Sequence, residues 1–436
     1  MALVAAPASA SASGLLVAVG DVGPTSAVLW ARGDRETELA VEYGPVGAPR
    51  LPAGLRVSRS AGLTGKLRLA DLKPATRYAY RVRGATEASG EFSTAPAPEV
   101  AARVRLVWSG DLGGGPACRR RDGDYRIFHA IVRREPDFFL FVGDTVYADH
   151  ACAGAGLLPG AEFVATTLPQ FRARHAHNRE DPALVALLAR TSVSAIWDDH
   201  EVSNDFAGTS QPLMPVGRQA FLEYWPILPP AEEPTRLYRA LRWGRLLEVF
   251  ILDTRQYRSD NCQPDGPGKT MLGAAQRRWL VDGLAASPAT WKIVVSSVTL
   301  SVSTGRTCRD SWSNATLWGV PEENGTGFAT ERDAILRALR GRGVKNLVVL
   351  AADVHHAEVI RHHPATDFSF HEFIAGPLAS TLGRPRPLDQ ALNPRSLFAQ
   401  GGVNTFGEIT FEPPHLTVRL FDEDGRLLFS HVIGPE

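Results

Sequence analysis

Residues 138–149 read FFLFVGDTVYAD, an apolar run of strand length that is followed at once by Gly-Asp and then by a second Asp. Upstream of the predicted strand at residues 137–142, residues 104–108 have the pattern of another strand and residues 125–134 that of a helix. A strand, a helix and a strand in this order indicate a βαβ unit with parallel strands. The sequence therefore predicts an α/β domain around this segment.

The same alternation continues toward the C-terminus. Further strands are predicted at residues 193–197, 246–253, 291–298 and 346–352, and amphipathic helices at residues 274–286 and 330–340. Short alternating strands follow at residues 406–411, 416–421 and 427–432. We therefore expect a mixed sheet or a sandwich at the centre of this domain.

Residues 15–94 have an all-β pattern, with short alternating segments separated by Gly and Pro. Residues 72–82, LKPATRYAYRV, resemble the fibronectin type III signature, in which a Leu and a Tyr anchor the corner between two strands. Tyr78 is therefore expected in a core. An Ala/Pro-rich run follows as a predicted linker, so we predict a fibronectin III-like domain at residues 15–97 and a larger domain at residues 98–436.

The first residues and the cysteines bear on the compartment. Residues 1–14, MALVAAPASASASG, are interpreted as the remnant of an export signal, with a disordered tail of a cytosolic protein as the alternative. The spacing of the four cysteines fits no zinc knuckle. Disulfides Cys118–Cys152 and Cys262–Cys308 suit an oxidising compartment, so we expect an exported protein that is extracellular or periplasmic.

The charge balance excludes two classes of partner. The 47 Lys and Arg residues equal the 47 Asp and Glu residues, so the net charge attracts neither nucleic acid nor an anionic membrane. The apolar runs have the length of strands, and none is long enough to cross a bilayer. We therefore expect no nucleic-acid binding and no transmembrane segment.

Polar side chains follow five of the predicted strands. The segments are SGD at residues 109–111, GDTVYAD at 143–149, DDHEVSND at 198–205, DTR at 253–255 and DVHH at 353–356. One Asp in such a place is commonly a helix cap or a turn residue. However, α/β sheets bind ligands at the carboxyl ends of their strands, and several carboxylates gathered there repel each other unless cations neutralise them. The donor types suit Fe, Mn, Zn, Mg or Ca, and we predict a dinuclear metal site.

In this order, the motifs GDTVYAD, WDDHEVSND, DTRQYR and VVLAADVHH resemble those of the alkaline phosphatase D (PhoD-like) family of calcineurin-like metallophosphoesterases. The resemblance covers nearly the whole chain. It implies a four-layer α/β sandwich preceded by a fibronectin III or Ig-like β-sandwich, and hydrolysis of phosphomonoesters or phosphodiesters. It also implies two or more metal ions, with Fe and Ca as in the family and Zn or Mn as alternatives.

The resemblance implies metal ligands residue by residue. Asp144 is the implied bridge between two metals. The other implied ligands are Asp111, Tyr147 and His355 on the first metal, and Asn204 and Asp353 on the second. Two cations about 3.5–4 Å apart clamp a phosphoryl group and lower the pKa of a bound water, so a metal-bound hydroxide is the expected nucleophile.

The chain departs from the family at the end of its first α/β strand. Family members carry Ser-Cys-Gln there, and the Cys ligates iron, whereas this chain has Ser109-Gly110-Asp111. Because a carboxylate is a harder ligand than a thiolate, iron is not directly implied. Cys118 as a substitute ligand is the alternative to its disulfide.

Candidates for proton transfer and phosphate binding are His200, His356 and Arg255. His200 lies between two acids that would raise its basicity. An equal alternative is that the segment Asp198-Asp199-His200 forms a hydrogen-bond network that holds the loop of Asn204. Arg255 would then pair with one of these acids, which is common for a partly buried Arg.

Two other groups of residues are interpreted from position alone. His175, His177, His362 and His363 follow no predicted strand and are expected at the surface. The long Gly/Asn-rich loop at residues 301–330, which carries Trp312, Trp318 and Phe328, is expected to cover the active site and to select the leaving group.

Three functions are compatible with these features. The first is a metal-dependent hydrolase of phosphoric esters. The second is a phospholipase D-like diesterase that acts on lipid head groups or wall polymers. The third is a non-catalytic surface binding protein, against which we note that every proposed ligand position holds a competent residue.

Overall fold

The computed structural model describes residues 14–436, so the predicted leader lies outside the described part except for Gly14. Residues 14–436 contain six α-helices and twenty β-strands. The helices are α1 (Ile127–Val132), α2 (Leu168–Arg179), α3 (Pro182–Leu188), α4 (Met214–Tyr224), α5 (Gly273–Ala286) and α6 (Ala329–Gly341). The strands are β1 (Leu16–Gly20), β2 (Ala27–Arg32), β3 (Thr37–Pro45), β4 (Leu51–Val57), β5 (Thr64–Leu69), β6 (Arg77–Arg83), β7 (Glu87–Ser93), β8 (Val104–Ser109), β9 (Phe138–Val142), β10 (Ser192–Ile196), β11 (Arg239–Trp243), β12 (Leu247–Ile251), β13 (Trp291–Val295), β14 (Leu347–Ala351), β15 (Ala357–Ala365), β16 (Phe368–Ile374), β17 (Arg395–Gln400), β18 (Thr405–Glu412), β19 (His415–Asp422) and β20 (Leu427–Ile433).

The strands form three sheets within the described residues. The largest has the order β20-β19-β18-β8-β9-β10-β1-β2-β5, the second has the order β11-β12-β13-β14-β16-β15-β17, and the third has the order β4-β3-β6-β7. Strands β8, β9 and β10 are parallel, as are β12, β13, β14 and β16. The predicted strands at these positions are confirmed, with ends that differ by up to three residues.

The two large sheets pack face to face. Trp108 of β8 lies 6.2 Å from Phe373 of β16 between ring centroids, and Phe138 of β9 stacks on Trp243 of β11 at 4.5 Å. Helices α5 and α6 cover the second sheet with an apolar cluster of their own, and α4 packs on the first sheet. The order helix, sheet, sheet, helix gives the four-layer sandwich that the sequence predicted. No helix of residues 14–436 has both the length and the apolar character needed to span a membrane.

The N-terminal strands form a β-sandwich that shares a sheet with the α/β part. Strands β1, β2 and β5 face the sheet of β3, β4, β6 and β7, and Leu29 and Val41 are buried in one core. Strand β1 meets β10 through Gly20 and Val193, so these strands extend the largest sheet. Lys66 of β5 also donates to the backbone oxygen of Ile227 at 2.6 Å, just beyond α4.

Tyr78 is in this core, as predicted, and is only 4% exposed. Its hydroxyl accepts a hydrogen bond from the backbone N–H of Lys73 at 2.8 Å, which closes the corner before β6. Tyr80, two residues on, is equally buried, but its hydroxyl has no hydrogen-bond partner among the described residues. The two tyrosines therefore differ in what their hydroxyls contribute.

We expect Tyr78→Phe to lower the free energy of unfolding by about 1 kcal/mol, because the Lys73 N–H loses its acceptor. Tyr80→Phe is the matched control, and it should leave stability unchanged or slightly raised because a buried hydroxyl without a partner is removed. Urea denaturation of both variants measures the difference. Equal effects of the two substitutions would contradict the role given to the Tyr78 hydroxyl.

Helices α2, α3 and α4 were not predicted, and α2 shows why. Its buried residues include Arg174, His175 and Arg179, so it lacks the apolar stripe of an amphipathic helix. His175 stacks on Tyr224 at 5.4 Å, and the Arg179 guanidinium lies 4.2 Å above the Trp30 ring. The helix is held by contacts between polar and aromatic groups that sequence periodicity does not detect.

The expectation of surface histidines was wrong for three of the four. His175 and His362 are fully buried and His177 nearly so, while His363 is half-buried. His362 contacts Glu372 at 2.9 Å, which satisfies one ring nitrogen inside the protein. The inference failed because a histidine away from strand ends can still be buried when an aromatic ring or an acid contacts it.

Candidate metal centre

The carboxyl ends of strands from both large sheets meet at one edge of the sandwich. The residues that follow them adopt a left-handed backbone conformation at Asp111 (φ 64°), Asp144 (51°), Asp353 (68°) and His355 (57°). This conformation is uncommon for residues with a side chain, and it persists where the surroundings impose it. Each predicted loop therefore turns sharply as it leaves its strand.

One cluster combines Asp111, Asp144 and His355. One potential ligand atom from each lies within 4.8 Å of the others. Asp111 and Asp144 are fully buried and follow the adjacent parallel strands β8 and β9, whereas His355 follows β14 of the facing sheet. The structure thus brings together three of the predicted ligands, and they come from both sheets.

Tyr147 adjoins this cluster. Its hydroxyl lies 3.0 Å from Nε2 of His355 and accepts a hydrogen bond from Ser380 Oγ at 3.1 Å. His355 Nδ1 donates to the backbone oxygen of Thr381 at 2.5 Å, so Nε2 carries the free lone pair of the neutral ring. A carbonyl that fixes the tautomer in this way is the usual partner of a metal-binding histidine.

A second cluster joins Asp144 to Asp199 and His200, again within 4.8 Å. His200 Nδ1 lies 2.8 Å from Asp149 Oδ1, and its ring stacks on Tyr147 at 4.1 Å. From the sequence, Asp199 is interpreted as an acid that raises the basicity of His200 or as part of a supporting network, and not as a metal ligand. Because Asp144 belongs to both clusters, it has the position expected of a shared ligand.

Asn204 and Asp353 lie beside these clusters. Asn204 is exposed, and its backbone N–H donates to Asp149 Oδ2 at 2.7 Å, so Asp149 connects it to His200. Asp353 is half-buried, and the charges of Asp198 and Asp199 act on it. Asp199 is therefore in the cluster with Asp144 and His200, whereas Asn204 lies outside it, at the rim.

The carboxylates are held in an unfavourable electrostatic environment. Burial raises the pKa of Asp111, Asp144 and Asp353 well above the usual range, and neighbouring acids raise it further. Both carboxylate oxygens of Asp111, Oδ1 of Asp199 and Oδ2 of Asp353 are buried without a hydrogen-bond partner in residues 14–436. Buried oxygen donors that the protein does not satisfy fit divalent or trivalent cations.

Arg255 lies behind the clusters and is fully buried. Its Nε donates to Asp198 Oδ1 at 2.6 Å, and its Nη1 and Nη2 donate to the two oxygens of Asp310 at 2.8 Å each. It therefore has the pairing role that the sequence analysis gave as the alternative to phosphate binding. Asp199, Asp205 and Asp310 form a third acidic group, but Arg255 and Arg258 already neutralise Asp310.

His356 is also turned away from the clusters. It is fully buried, with Nε2 3.1 Å from Glu358 and Nδ1 3.1 Å from the backbone oxygen of Val354. Both ring nitrogens are thus occupied inside the fold, unlike those of His200. Of the three predicted catalytic candidates, only His200 belongs to one of the candidate cation-binding clusters within residues 14–436.

Glu201 links the loop after β9 to the loop after β10 by hydrogen bonds, a role that the sequence does not indicate. It accepts hydrogen bonds from the Thr145 backbone at 2.6 Å, from Thr145 Oγ1 at 2.8 Å and from the Asp198 backbone at 2.9 Å. These bonds hold the segment after β9 against the segment after β10. Glu201 therefore fixes Asp144 relative to Asp199 without contacting either.

The predicted covering loop is partly buried and borders a cavity. Trp312 and Phe328 are buried, whereas Trp318 is 77% exposed. A cavity of about 680 Å³ lies between this loop and the segment that carries Asn204, and Arg306 lines it. The Cys262–Cys308 disulfide forms one wall.

Both predicted disulfides are present. Cys118 is bonded to Cys152 and Cys262 to Cys308, and no free cysteine occurs in the described chain. Cys118 is therefore not available as a metal ligand. The acid at position 111 has no thiolate substitute nearby.

Comparisons with known proteins agree with this architecture. The model of the PhoD-like phosphatase family matches residues 115–418, and the model of the PhoD-like phosphatase N-terminal domain matches residues 3–96. Alkaline phosphatase D of Bacillus subtilis (strain 168) is 27% identical over 316 residues, which cover 65% of this chain and 52% of that protein. The chain thus spans about half the length of this curated relative.

Two solved structures have the same fold. One, described as the structure of PhoD, has a TM-score of 0.78 at 21% identity and covers 96% of this chain and 92% of that one. The other is the purple acid phosphatase PPD1 from yellow lupin (Lupinus luteus) seeds, with a TM-score of 0.68 at 15% identity and a coverage of 96% and 74%. At these identities the likeness concerns the fold alone.

Proposed function

The chain belongs to the PhoD-like phosphatase family, and from this premise we propose that it is a metal-dependent phosphoesterase that hydrolyses phosphomonoesters or phosphodiesters. The observation that carries the proposal is the convergence of Asp111, Asp144 and His355 with buried oxygens that lack a hydrogen-bond partner. Such a donor set has no structural purpose without cations, because like charges buried together destabilise a fold.

Specific residues would hold the cations. Asp144 belongs to both clusters, so it would be the shared ligand; the others would be Asp111, Tyr147 and His355 on one side, and Asp199, Asn204 and Asp353 on the other. Two bound cations would lower the pKa of a water molecule toward neutrality and neutralise charge on a phosphoryl group. With four carboxylates and one phenol among the donors, hard cations are favoured.

His200 is the residue that we assign to proton transfer. Asp149 holds its Nδ1, which leaves Nε2 to donate a proton to the leaving oxygen. Burial on its own would lower the pKa of His200, but Asp199 and Asp149 outweigh this effect and raise it to about 10. In the metal-free protein these groups thus favour the protonated ring.

The shape of the surroundings favours a water-soluble ester. The cavity next to Asn204 is lined by polar groups that include Asp205, Gln211 and Arg306. A polar cavity accommodates a hydrophilic leaving group better than an acyl chain.

The two disulfides support an exported protein, because disulfides persist in oxidising compartments.

Hydrolysis of bis(p-nitrophenyl) phosphate and p-nitrophenyl phosphate by the purified protein tests this function. Chelator treatment should abolish turnover, and one or more of Fe, Mn, Zn and Ca should restore it. Addition of the same ion should raise the melting temperature, because a ligand that binds only the folded state stabilises it. The absence of turnover on both esters and on phosphatidylcholine with every ion would favour a binding protein instead.

A further inference from the structure

The loop between β16 and β17 lies directly against the proposed metal centre. The Gly383 N–H donates to the backbone oxygen of His355 at 2.8 Å, and the Thr381 backbone oxygen accepts from the His355 ring. Further along, the Asp389 N–H donates to the backbone oxygen of Ser301 at 2.9 Å. The segment between these anchors, residues 384–388, is therefore held at the rim of the site.

Arg386 is in this segment between Pro385 and Pro387, whose rings restrict the backbone. It is half-buried, yet its guanidinium makes no hydrogen bond or ion pair within the described residues that meets the usual distance limits. An Arg that is removed from solvent normally pairs with an acid, as the fully buried Arg255 does in this protein. An unpaired guanidinium at the edge of an acidic site has its donors available for a ligand.

The charge of Arg386 acts on two proposed metal ligands. Burial lowers the pKa of Arg386, and the Asp353 carboxylate opposes that effect. Burial is likewise the main cause that lowers the pKa of His355 to about 4, and the Arg386 charge contributes in the same direction. The guanidinium is thus within electrostatic range of Asp353 and His355, in agreement with the backbone contacts.

From this placement we propose that Arg386 binds a non-bridging oxygen of the substrate phosphoryl group, an inference that rests on the proposed phosphoesterase function. Phosphate oxygens accept paired N–H bonds from the planar guanidinium fork, which a lysine cannot reproduce. The cations would contact the oxygens on the side of Asp144, and Arg386 the side of the β16–β17 loop. Arg386 is then a substrate-binding residue and not a metal ligand.

A monoester and a diester should respond differently to the loss of this contact. A monoester dianion carries more charge on its non-bridging oxygens than a diester monoanion, and charge strengthens a hydrogen bond to Arg. We therefore expect Arg386→Gln to reduce kcat/KM about 10- to 100-fold for p-nitrophenyl phosphate, with a smaller loss for the bis ester. Arg386→Lys should recover part of the loss.

Arg384→Gln is the matched control, because Arg384 is in the same loop but is exposed. Both variants are first loaded with the activating metal, and their metal content is measured. Arg384→Gln should retain wild-type kcat/KM, and Arg386→Gln should bind as much metal as the wild type. Equal kinetics of the two variants, or a loss of metal from Arg386→Gln, would overturn the inference.

Binding of inorganic phosphate to the metal-loaded proteins, measured by calorimetry, separates this inference from the proposed function. If the wild type hydrolyses no ester but Arg386→Gln weakens phosphate binding at least tenfold relative to Arg384→Gln, the phosphate-binding role stands and the proposed function fails. If the wild type is active and both variants bind phosphate equally, the assignment of Arg386 is wrong while the proposed function stands.

Discussion

Replacement of Asp144 by Asn is expected to abolish phosphoester hydrolysis while it stabilises the protein in the presence of a chelator. Asp144 belongs to both acidic clusters, so its loss would remove the ligand that we propose is shared by two cations. Cations contribute several kcal/mol of transition-state stabilisation, which corresponds to a loss of on the order of 10³-fold or more in kcat.

The stabilising effect of Asp144→Asn comes from the metal-free protein, where the buried carboxyl group is unfavourable. Burial and the nearby acids raise the pKa of Asp144 well above its value in the unfolded chain. Without metal, an acid of this kind destabilises the fold as the pH rises above the unfolded pKa, because the folded protein retains a proton that the unfolded chain releases. A neutral Asn lacks this penalty, so we expect a gain in the free energy of unfolding at pH 7.

Melting curves and turnover, each with chelator and with the activating metal, measure both effects. The wild type should melt at a higher temperature when metal is added, and Asp144→Asn should not respond. Asp122→Asn, at an exposed position, serves as the control and should match the wild type in every assay. Retained metal-dependent turnover in Asp144→Asn would refute the assignment of Asp144 as the shared ligand.

Replacement of Arg255 by Met is expected to have the largest effect on stability. The guanidinium is fully buried and bonded to Asp198 and to both oxygens of Asp310. Its removal leaves the buried Asp198 carboxylate without its cation and Asp310 with Arg258 alone, and breaking a buried pair in this way typically costs about 3–5 kcal/mol. The Asp199 carboxylate lies 3.8 Å from Arg255, so the position of its side chain should also change when Arg255 is removed. Because Asp199 is a proposed metal ligand, metal affinity should fall.

Urea denaturation of Arg255→Met measures the loss, and Arg278→Met on the exposed side of α5 is the control. The double variant Arg255→Met with Asp198→Asn should recover part of the stability, because Asp198 is the carboxylate that loses its cation, whereas Asp310 keeps Arg258. If Arg255→Met does not fold, Arg255→Lys provides the same comparison with the charge kept and the fork lost. A change below about 1 kcal/mol in Arg255→Met would mean that the ion pairs do not stabilise the fold.

The strand ends could be predicted from the sequence because their signal is local. An apolar run followed by Gly-Asp at residues 138–144 specifies both a buried strand and the acid after it. The sequence could not predict whether Asn204 or Asp199 lies next to Asp144 as a metal ligand. Both residues follow β10, and only the path of the loop decides which side chain faces Asp144. In the structure, Asp199 faces Asp144, and Asn204 is exposed.

Other parts of the site depend on contacts between distant segments. Arg386 follows β16 and lies between two prolines outside the motifs that carry the ligands, so no local pattern marks it. Outside the site, the burial of His175 depends on its stacking with Tyr224, a distant partner that a pattern of hydrophobicity does not reveal. Tertiary packing decides the position of each of these side chains.

The sheet that joins the N-terminal sandwich to the α/β part has a consequence for how the chain can be divided by recombination. A boundary near residue 97 is visible in sequence composition, but hydrogen bonding crosses it, because β1 pairs with β10 and Lys66 binds the backbone beyond α4. A shortened chain that began at residue 98 would present β10 as an unprotected edge, which promotes aggregation. We therefore expect the two modules to be inherited and exchanged as one piece, and grafting of a foreign N-terminal module to succeed only when the residues around β10 and α4 are transferred with it.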